Sequence, residues 1–145
     1  VIVRLRLFMT PKFYIRIFCF LLSVKLAYAE VVDVNNKQIL ELSQKNIPII
    51  DIRRSSEWEQ TGIVPKSILL TFFDKNGKYN FNEWYSKLSL KVEEGKPIIL
   101  ICRTGRRTRI IAEMMDRKLD FKIYNSKNGI TSWIDAKLPT VKPVY

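Results

Sequence analysis

Cys102 stands directly before a cluster of arginines in the stretch ICRTGRRTR, residues 101–109. The seven positions that follow it contain Arg103, Arg106, Arg107 and Arg109. Guanidinium groups this close repel one another, so the spacing favours a site that holds an anion. Cationic neighbours also stabilise a thiolate, which is the nucleophilic form of cysteine. The stretch therefore predicts a reactive cysteine that receives an anionic substrate.

The rest of the composition limits the chemistry open to Cys102. The 145 residues include no histidine, which excludes Cys-His and Ser-His-Asp catalysis and histidine-bound zinc or haem. The other cysteine, Cys19, lies in an N-terminal segment that we expect to be removed. Without a disulfide partner, Cys102 is either a buried structural residue or a residue kept for chemistry. Its four arginines and one glycine favour chemistry.

Residues 1–29 have the features of a secretory signal peptide. They carry five basic residues and no acid, an apolar stretch from Ile15 to Val24, and small residues at Ala27 and Ala29. The apolar stretch is roughly half of the ~20 residues that a membrane-spanning helix needs, and an uncleaved N-terminal anchor is the alternative. We expect cleavage after Ala29, a single domain over residues 30–145, periplasmic or otherwise exported localisation, and no membrane association after cleavage.

The charge of the remaining chain argues against nucleic-acid binding. The full sequence has a formal net charge of +11, but residues 30–145 contain 20 basic and 14 acidic side chains. This excess is modest, and no basic tail or alternation of aromatic and basic residues accompanies it. We therefore expect no nucleic-acid partner.

Apolar runs alternate with amphipathic segments along residues 31–138. The pattern predicts strands over 31–34, 47–52, 67–72, 97–102 and 121–124. It predicts helices over 37–44, 55–60, 81–88, 108–118 and 129–138, the first three capped by Asn35 or Asn36, by Ser55 and by Asn80. Regular alternation of this kind predicts an α/β domain with a parallel sheet covered by helices on both faces.

Cys102 would then lie at the carboxyl end of a buried strand, where open parallel sheets bind ligands. The loop after it leads into a helix, whose first N–H groups have no intrahelical partner and whose dipole is positive there. Gly105 allows the backbone to curl so that several N–H groups converge on one anion.

Three segments, in this order and spacing, resemble the rhodanese family of sulfurtransferases. IIDIRRSSEWEQTGIVPKSILL, residues 49–70, is similar to the first signature of the family. PIILICRTGRRT, residues 97–108, resembles the active-site strand and its six-residue loop, Cys102 to Arg107. YNSKNGITSWIDAKLP, residues 124–139, resembles the closing segment. The resemblance covers residues 31–140, and Ile63 stands where the family often has a histidine.

The resemblance implies a rhodanese-like three-layer α/β domain with a five-stranded parallel sheet. It implies that Cys102 is the catalytic nucleophile and carries sulfur as a persulfide, taken from thiosulfate or a similar small anionic donor. The acceptor would be a thiol, cyanide or a protein. No metal or organic cofactor is required. The residues that would bind the substrate are Arg103, Thr104, Gly105, Arg106 and Arg107.

Several charged and aromatic residues have structural interpretations. Asp51 and Arg53 are expected to stabilise the fold, with Arg53 available to Glu57. Arg107 and Arg109 have an alternative to substrate binding, which is exposure to water or pairing with Glu113 or Asp116. The three tryptophans are expected in the core: Trp58, Trp84 and Trp133. Phe72 and Phe73 could border the site, but packing in the core is the preferred interpretation.

Two other functions compete with sulfur transfer by turnover. A phosphatase of the Cys-x5-Arg type needs an arginine six positions after the cysteine, but Thr108 occupies that position and Arg109 follows it. No acid in the loop is placed to protonate a leaving group. The second alternative is a periplasmic sulfur carrier or docking module that passes a persulfide to one protein partner, which the sequence does not distinguish from an enzyme.

Overall fold

The computed structural model describes residues 31–116 and 122–145, which form ten elements. The strands are β1 (Val31–Val34), β2 (Ile49–Asp51), β3 (Ile68–Leu69), β4 (Ile98–Ile101) and β5 (Ile123–Ser126). The helices are α1 (Asn36–Gln44), α2 (Ser55–Thr61), α3 (Phe81–Ser89), α4 (Arg106–Asp116) and α5 (Gly129–Asp135).

The five strands form one sheet in the order β1-β5-β4-β2-β3, and every pairing is parallel. This confirms the predicted five-stranded parallel sheet. Strand β4, which leads into Cys102, lies in the middle and pairs with β5 on one side and β2 on the other. Strand β1 lies at an edge of the sheet. The carboxyl ends of β2, β4 and β5 therefore meet at one edge of the sheet.

Alternate residues of β4 enter two separate cores, because successive side chains of a strand point to opposite faces. Leu100 and Cys102 pack with α3 and α4, through residues such as Trp84 and Met115. Ile99 and Ile101 face the other way and pack with α1 and α5, as these residues show: Ile39, Ile130 and Trp133. The sheet is thus the middle of three layers, which confirms the predicted helices on both faces.

Two predicted helix caps are present. The Asn35 side chain accepts a hydrogen bond from the Gln38 backbone N–H at 3.0 Å, while the Gln38 side-chain oxygen accepts one from the Asn35 N–H at 2.9 Å. Asn80 accepts from the Glu83 backbone at 3.2 Å. Ser55 is not a cap but the first residue of α2. The preceding residue, Arg54, is the cap position, and the Glu57 carboxylate binds its N–H at 3.2 Å.

Several predicted boundaries are wrong: β2 and β4 are shorter than predicted, and α5 ends at Asp135 rather than at residue 138. Strand β3 is reduced to Ile68–Leu69, although the Leu70 and Phe72 N–H groups still donate to the β2 segment. Strand β5 extends to Ser126, and its polar end is accommodated because the buried Asn125 amide donates to Asp33 at 2.8 Å. Helix α4 begins at Arg106 rather than at Thr108.

Some predictions fall on residues that the structure does not describe. The signal peptide, residues 1–29, lies outside the described ranges, as do the end of the predicted 108–118 helix and the start of the predicted 121–124 strand. Within residues 31–116 and 122–145, no helix has the length and apolar character to cross a membrane.

Candidate functional site

Cys102 follows the last residue of β4 and is completely buried. Its sulfur accepts a hydrogen bond from the Gly105 N–H at 3.2 Å. The Thr108 hydroxyl lies 3.7 Å from the same sulfur and hydrogen-bonds to the Gly105 carbonyl at 2.9 Å. The loop therefore curls around the cysteine, as predicted from Gly105, and its backbone directs an N–H dipole at the sulfur.

Glycine is required at Gly105 and Gly129 because the loop packs directly on the backbone between β5 and α5. Gly105 has a φ of +85°, and a Cβ there would lie 2.1 Å from the Lys127 carbonyl oxygen. Gly129 has a φ of +58°, and its Cβ would lie 2.4 Å from the carbonyl groups of Cys102 and Arg103. Any side chain at either position would push the cysteine loop away from α5.

Backbone hydrogen bonds from α5 fix the start of the loop. The Ile130 N–H donates to the Cys102 carbonyl at 2.8 Å, and the Thr131 N–H donates to the Arg103 carbonyl at 3.1 Å. The Thr131 hydroxyl binds the Arg103 carbonyl as well, at 2.9 Å. Sequence analysis did not identify this clamp, because backbone groups leave no residue-type signal. The one available clue was a glycine beginning the predicted last helix.

Helix α4 begins inside the segment that was expected to be loop. The Arg109 N–H donates to the Gly105 carbonyl at 3.2 Å, which is the first bond of the helix. Arg106 and Arg107 therefore belong to its first turn, where N–H groups have no intrahelical acceptor. Arginine has a higher helix propensity than threonine, so the early start agrees with local preference. The positive end of the helix lies closer to Cys102 than the predicted boundary placed it.

The four arginines fall into two pairs. Arg107 makes two hydrogen bonds to the Glu57 carboxylate, at 2.6 and 2.8 Å. Arg109 binds the Asp33 carboxylate on β1, at 2.6 Å for the first oxygen. The suggested partners Glu113 and Asp116 are therefore wrong for both. Arg103 and Arg106 are exposed, and neither has an ion-pair partner within the described residues.

These ion pairs change the pKa values of the groups involved. Burial opposes ionisation of Glu57, but hydrogen bonds from Arg107 and from the Arg54 backbone outweigh it and lower its pKa to about 2. The hydrogen bond to Glu57 raises the pKa of Arg107, and its interaction with Cys102 adds to the rise. The hydrogen bond from Asn125 lowers the pKa of Asp33, with a further contribution from Arg109. All these groups are charged near neutral pH.

Arg53 is held inside the protein by a full set of acceptors. Its side chain is 1% exposed, and its Nε and Nη2 atoms bind Asp51 at 3.0 and 2.7 Å. The same guanidinium donates to the Thr61 hydroxyl at 2.7 Å and to the Glu57 and Gly62 carbonyls at 3.2 and 2.8 Å. Arg53 thus binds the backbone of Glu57 and not its carboxylate. The predicted structural interpretation of Asp51 and Arg53 agrees with this geometry.

Two grooves meet beside the cysteine loop, and Arg103 and Glu57 border both. One groove, of about 180 Å³, lies against α5 and includes Gln60, Ile130 and Ile134. The other, of about 550 Å³, lies against α4 and is strongly basic, since its lining includes the following residues: Arg54, Lys75, Arg106 and Arg107. Thr104, Phe73 and Ile110 also line the larger groove.

The aromatic residues divide between core and groove. Trp58, Trp84 and Trp133 are buried, as expected. Phe72 is buried as well and packs edge-on against Trp84 with ring centroids 5.1 Å apart. Phe73 is only half-buried and borders the larger groove. The preference for packing is therefore confirmed for Phe72, whereas Phe73 has both roles.

Comparison with known proteins agrees with this architecture. Residues 35–136 match the family model of the rhodanese-like domain. A Rhodanese domain-containing protein of Drosophila melanogaster is 33% identical over 85 residues, which cover 55% of this chain and 68% of that protein. The crystal structure of Rv0390 from M. tuberculosis has a TM-score of 0.65 at 20% identity, covering 79% of this chain and 98% of that one.

A further solved structure is described as the polysulfide-sulfur transferase homodimer of Wolinella succinogenes. Its TM-score is 0.61 at 22% identity, and the match covers 88% of this chain and 90% of that chain. At these identities the two solved structures establish a shared fold. The match of the family model spans more than two thirds of the sequence and includes the cysteine loop, both flanking helices and the whole sheet from β2 to β5. The chain therefore belongs to the rhodanese-like domain family.

Proposed function

We propose that this protein is an exported sulfurtransferase in which Cys102 carries sulfane sulfur as a persulfide. Membership of the rhodanese-like family supports a sulfurtransferase-type role in general. One observation carries the proposal to a specific residue. The Cys102 sulfur accepts the Gly105 N–H at the carboxyl end of β4, beneath a loop whose Arg103 and Arg106 have no carboxylate partner among the described residues.

The proposed donor is thiosulfate or a similar small sulfur-containing dianion. The Cys102 thiolate attacks the outer sulfur of thiosulfate, the sulfur–sulfur bond of the donor breaks, and sulfite leaves with the bonding electrons. The product is a Cys102 persulfide. Cyanide or a thiolate then attacks the terminal sulfur, which leaves as thiocyanate or as the acceptor's persulfide and regenerates the Cys102 thiolate. Neither step needs a metal, a cofactor or an external oxidant.

The surroundings of Cys102 suit this chemistry in two ways. N–H dipoles of the loop and of the first turn of α4 stabilise negative charge on either sulfur of the persulfide. Arg103 and Arg106 provide charge for a dianion and for the departing sulfite. Thr104 and Gly105 contribute backbone to the same cradle. Arg107, which was also predicted to bind substrate, has its charge balanced by Glu57, so its role differs from that of the other two.

The phosphatase alternative gains no support from the site. The position that would need an arginine holds Thr108, whose side chain is buried and hydrogen-bonded to Gly105. The guanidinium of Arg109 points away to Asp33 on β1. A phosphate in the loop would therefore lack the bidentate arginine that such hydrolysis uses.

The test is the intact mass of the protein before and after incubation with thiosulfate. We expect a gain of one sulfur atom, which cyanide removes with release of thiocyanate. The matched control is Cys102→Ser, which retains any other reactive group of the chain and should gain nothing. Equal sulfur uptake by the control would overturn the assignment to Cys102. Slow turnover with thiosulfate and cyanide, together with fast transfer in the presence of a protein partner, would instead favour the carrier.

The same mass measurement tests export. When the full sequence is expressed in a cell with a secretory pathway, we expect the recovered protein to begin at Glu30 and to fractionate outside the cytoplasm. A recovered chain that still carries residues 1–29 and remains with the membrane would contradict cleavage and support the N-terminal anchor. In an oxidising compartment we also expect Cys102 to rest as a persulfide or to depend on a local reductant, which trapping with a thiol-blocking reagent would reveal.

A further inference from the structure

The first turn of α4 is tied to α2 by a carboxylate from outside the cysteine loop. Arg107 donates one hydrogen bond to each oxygen of the Glu57 carboxylate, at 2.8 and 2.6 Å, in a two-point arrangement that fixes the guanidinium plane. The Glu57 side chain is 16% exposed and that of Arg107 is 25% exposed, so water competes weakly for either partner. Arg107 directly precedes Thr108, whose hydroxyl lies 3.7 Å from the Cys102 sulfur, and the charge of Cys102 contributes to the raised pKa of Arg107. Glu57 therefore holds a side chain that belongs to the helix turn facing the sulfur.

Hydrogen bonds to residues other than Arg107 also fix the position of Glu57. Its carboxylate accepts the Arg54 N–H at the start of α2, at 3.2 Å. Its backbone carbonyl accepts from the buried Arg53 guanidinium at 3.2 Å and from the Thr61 hydroxyl at 2.9 Å. The helix that carries Glu57 is therefore anchored to β2 through the Asp51–Arg53 pair. This anchoring gives the carboxylate a defined position from which to orient another residue.

We propose that Glu57 is a positioning residue that acts through Arg107 and holds its guanidinium beside Cys102. The loop arginines then have two different roles. Arg103 and Arg106 attract the anionic donor, while the Glu57–Arg107 pair adds little net charge and sets the reactivity of the sulfur. The role of Arg103 and Arg106 in attracting the donor rests on the proposed function. The effect on the sulfur does not, because any electrophile that reacts with Cys102 reports on it.

Charge and position make opposite predictions for Glu57→Gln. If Glu57 acted only as a nearby anion, its removal would stabilise the Cys102 thiolate and speed up its reaction with an electrophile. If Glu57 positions Arg107, its removal frees the guanidinium to turn towards water, and the thiolate loses a fixed cationic neighbour. We expect position to dominate, because a displacement of about 1 Å at a reacting centre changes rates by up to a hundredfold.

The experiment measures alkylation of Cys102 by iodoacetamide, a neutral probe, as a function of pH. We expect Glu57→Gln to slow the reaction about tenfold near neutral pH, with Glu57→Asp recovering part of the loss. Steady-state turnover of thiosulfate with cyanide as the acceptor should show the same loss in kcat, with the KM for thiosulfate changed less than about twofold. The matched control is Glu83→Gln, which breaks the exposed Glu83–Lys87 pair on α3 and should change neither quantity.

A double-substitution cycle tests whether Glu57 acts through Arg107. In an Arg107→Gln background, Glu57→Gln should change the alkylation rate less than about twofold, because the residue it positions is absent. An equal effect in both backgrounds, or faster alkylation in Glu57→Gln alone, would overturn the proposal. Failure of sulfur uptake in the unsubstituted protein would instead count against the proposed function, and the alkylation cycle would still decide the role of Glu57.

Discussion

Two neighbouring strands of the sheet, β2 and β4, each place arginine near their carboxyl ends, and the two sets of arginines have opposite environments. Arg53, after β2, is 1% exposed and donates to Asp51, to a hydroxyl and to two backbone carbonyls. Arg103 and Arg106, after β4, are exposed and lack carboxylate partners in the described parts of the chain. The same residue type thus stabilises the fold at one strand end and remains available for an anion at the next.

The difference shows that proximity to a reactive residue does not by itself define a binding arginine. Arg53 borders the smaller groove beside the cysteine loop, yet its hydrogen-bonding groups are already satisfied within the protein. An arginine binds a ligand only with donors that the fold leaves free. Arg107 is intermediate, since it is paired with the Glu57 carboxylate while the charge of Cys102 contributes to its raised pKa.

The largest effect is expected from breaking the buried pair after β2. Asp51→Asn would remove the charge that compensates Arg53, because both side chains are almost fully buried. Removal of one partner of a buried ion pair costs about 3–5 kcal/mol. We expect the free energy of unfolding, measured with urea, to fall by this amount. At urea concentrations below the unfolding transition of Asp51→Asn, the rate of sulfur uptake by the folded variant should change less than about threefold.

Glu83→Gln serves as the control for this substitution, since the Glu83–Lys87 pair is more than half exposed on both sides. Exposed pairs of this kind contribute little to stability, because water and salt screen the two charges. If Asp51→Asn were no more destabilising than the control but abolished sulfur uptake, Arg53 would have to be regarded as a binding residue. The contrast between the two strand ends would then be wrong.

Elements with strong local signals could be predicted from the sequence. The run PIILIC predicts a buried central strand, because apolar side chains on both faces require helices on both sides of the sheet. This placed Cys102 at a strand end correctly. Asn80 and one of the pair Asn35 and Asn36 are predictable as helix caps, because their side chains bind backbone N–H groups of the first turn, and the structure selects Asn35. Patterns that depend on a few neighbouring residues are readable in this way.

Features that depend on distant residues could not be predicted. The Glu57–Arg107 pair joins positions 50 residues apart, and the Asp33–Arg109 pair joins positions 76 apart. Of the nearer carboxylates, Glu113 is four positions from Arg109, a spacing at which helical side chains meet, whereas neither Glu113 nor Asp116 has such a spacing from Arg107. The folded sheet instead brings α2 and β1 close to α4, so that Glu57 and Asp33 are the carboxylates that pair with the two arginines. The sequence therefore located the cluster of arginines but not the division of their roles.

The ion pair that connects the two strand ends makes stability depend on acid. The pKa of Glu57 is lowered from an ordinary 4.5 to about 2, so the folded state binds its proton more weakly than the unfolded state does. The resulting stabilisation is fully present above about pH 4.5 and is lost as the pH falls towards 2. After allowance for solvent screening we expect about 1–2 kcal/mol.

Urea unfolding of the unsubstituted protein and of Glu57→Gln, followed from about pH 6 down to about pH 2.5, measures this contribution. The difference in free energy of unfolding between the two proteins should shrink steadily as the pH falls. Glu83→Gln supplies the exposed counterpart, for which the difference should stay small throughout. A constant difference for Glu57→Gln would mean that the variant is destabilised by altered packing, and that the charge connecting α2 and α4 contributes little.

Substitution of the exposed arginines is expected to have the smallest effect on stability. Its effect on donor binding identifies the role of these arginines. Arg103→Gln and Arg106→Gln remove charge without breaking an ion pair within the described residues, so the free energy of unfolding should change by less than about 0.5 kcal/mol. The KM for thiosulfate should rise about tenfold for each and become less sensitive to salt, because attraction of a dianion by exposed charges is screened. Lys91→Gln, exposed in the segment after α3, controls for the loss of any positive charge. If Lys91→Gln raised KM as much, general attraction by a basic protein would explain donor binding, and the free donors of Arg103 and Arg106 would have no special part in it.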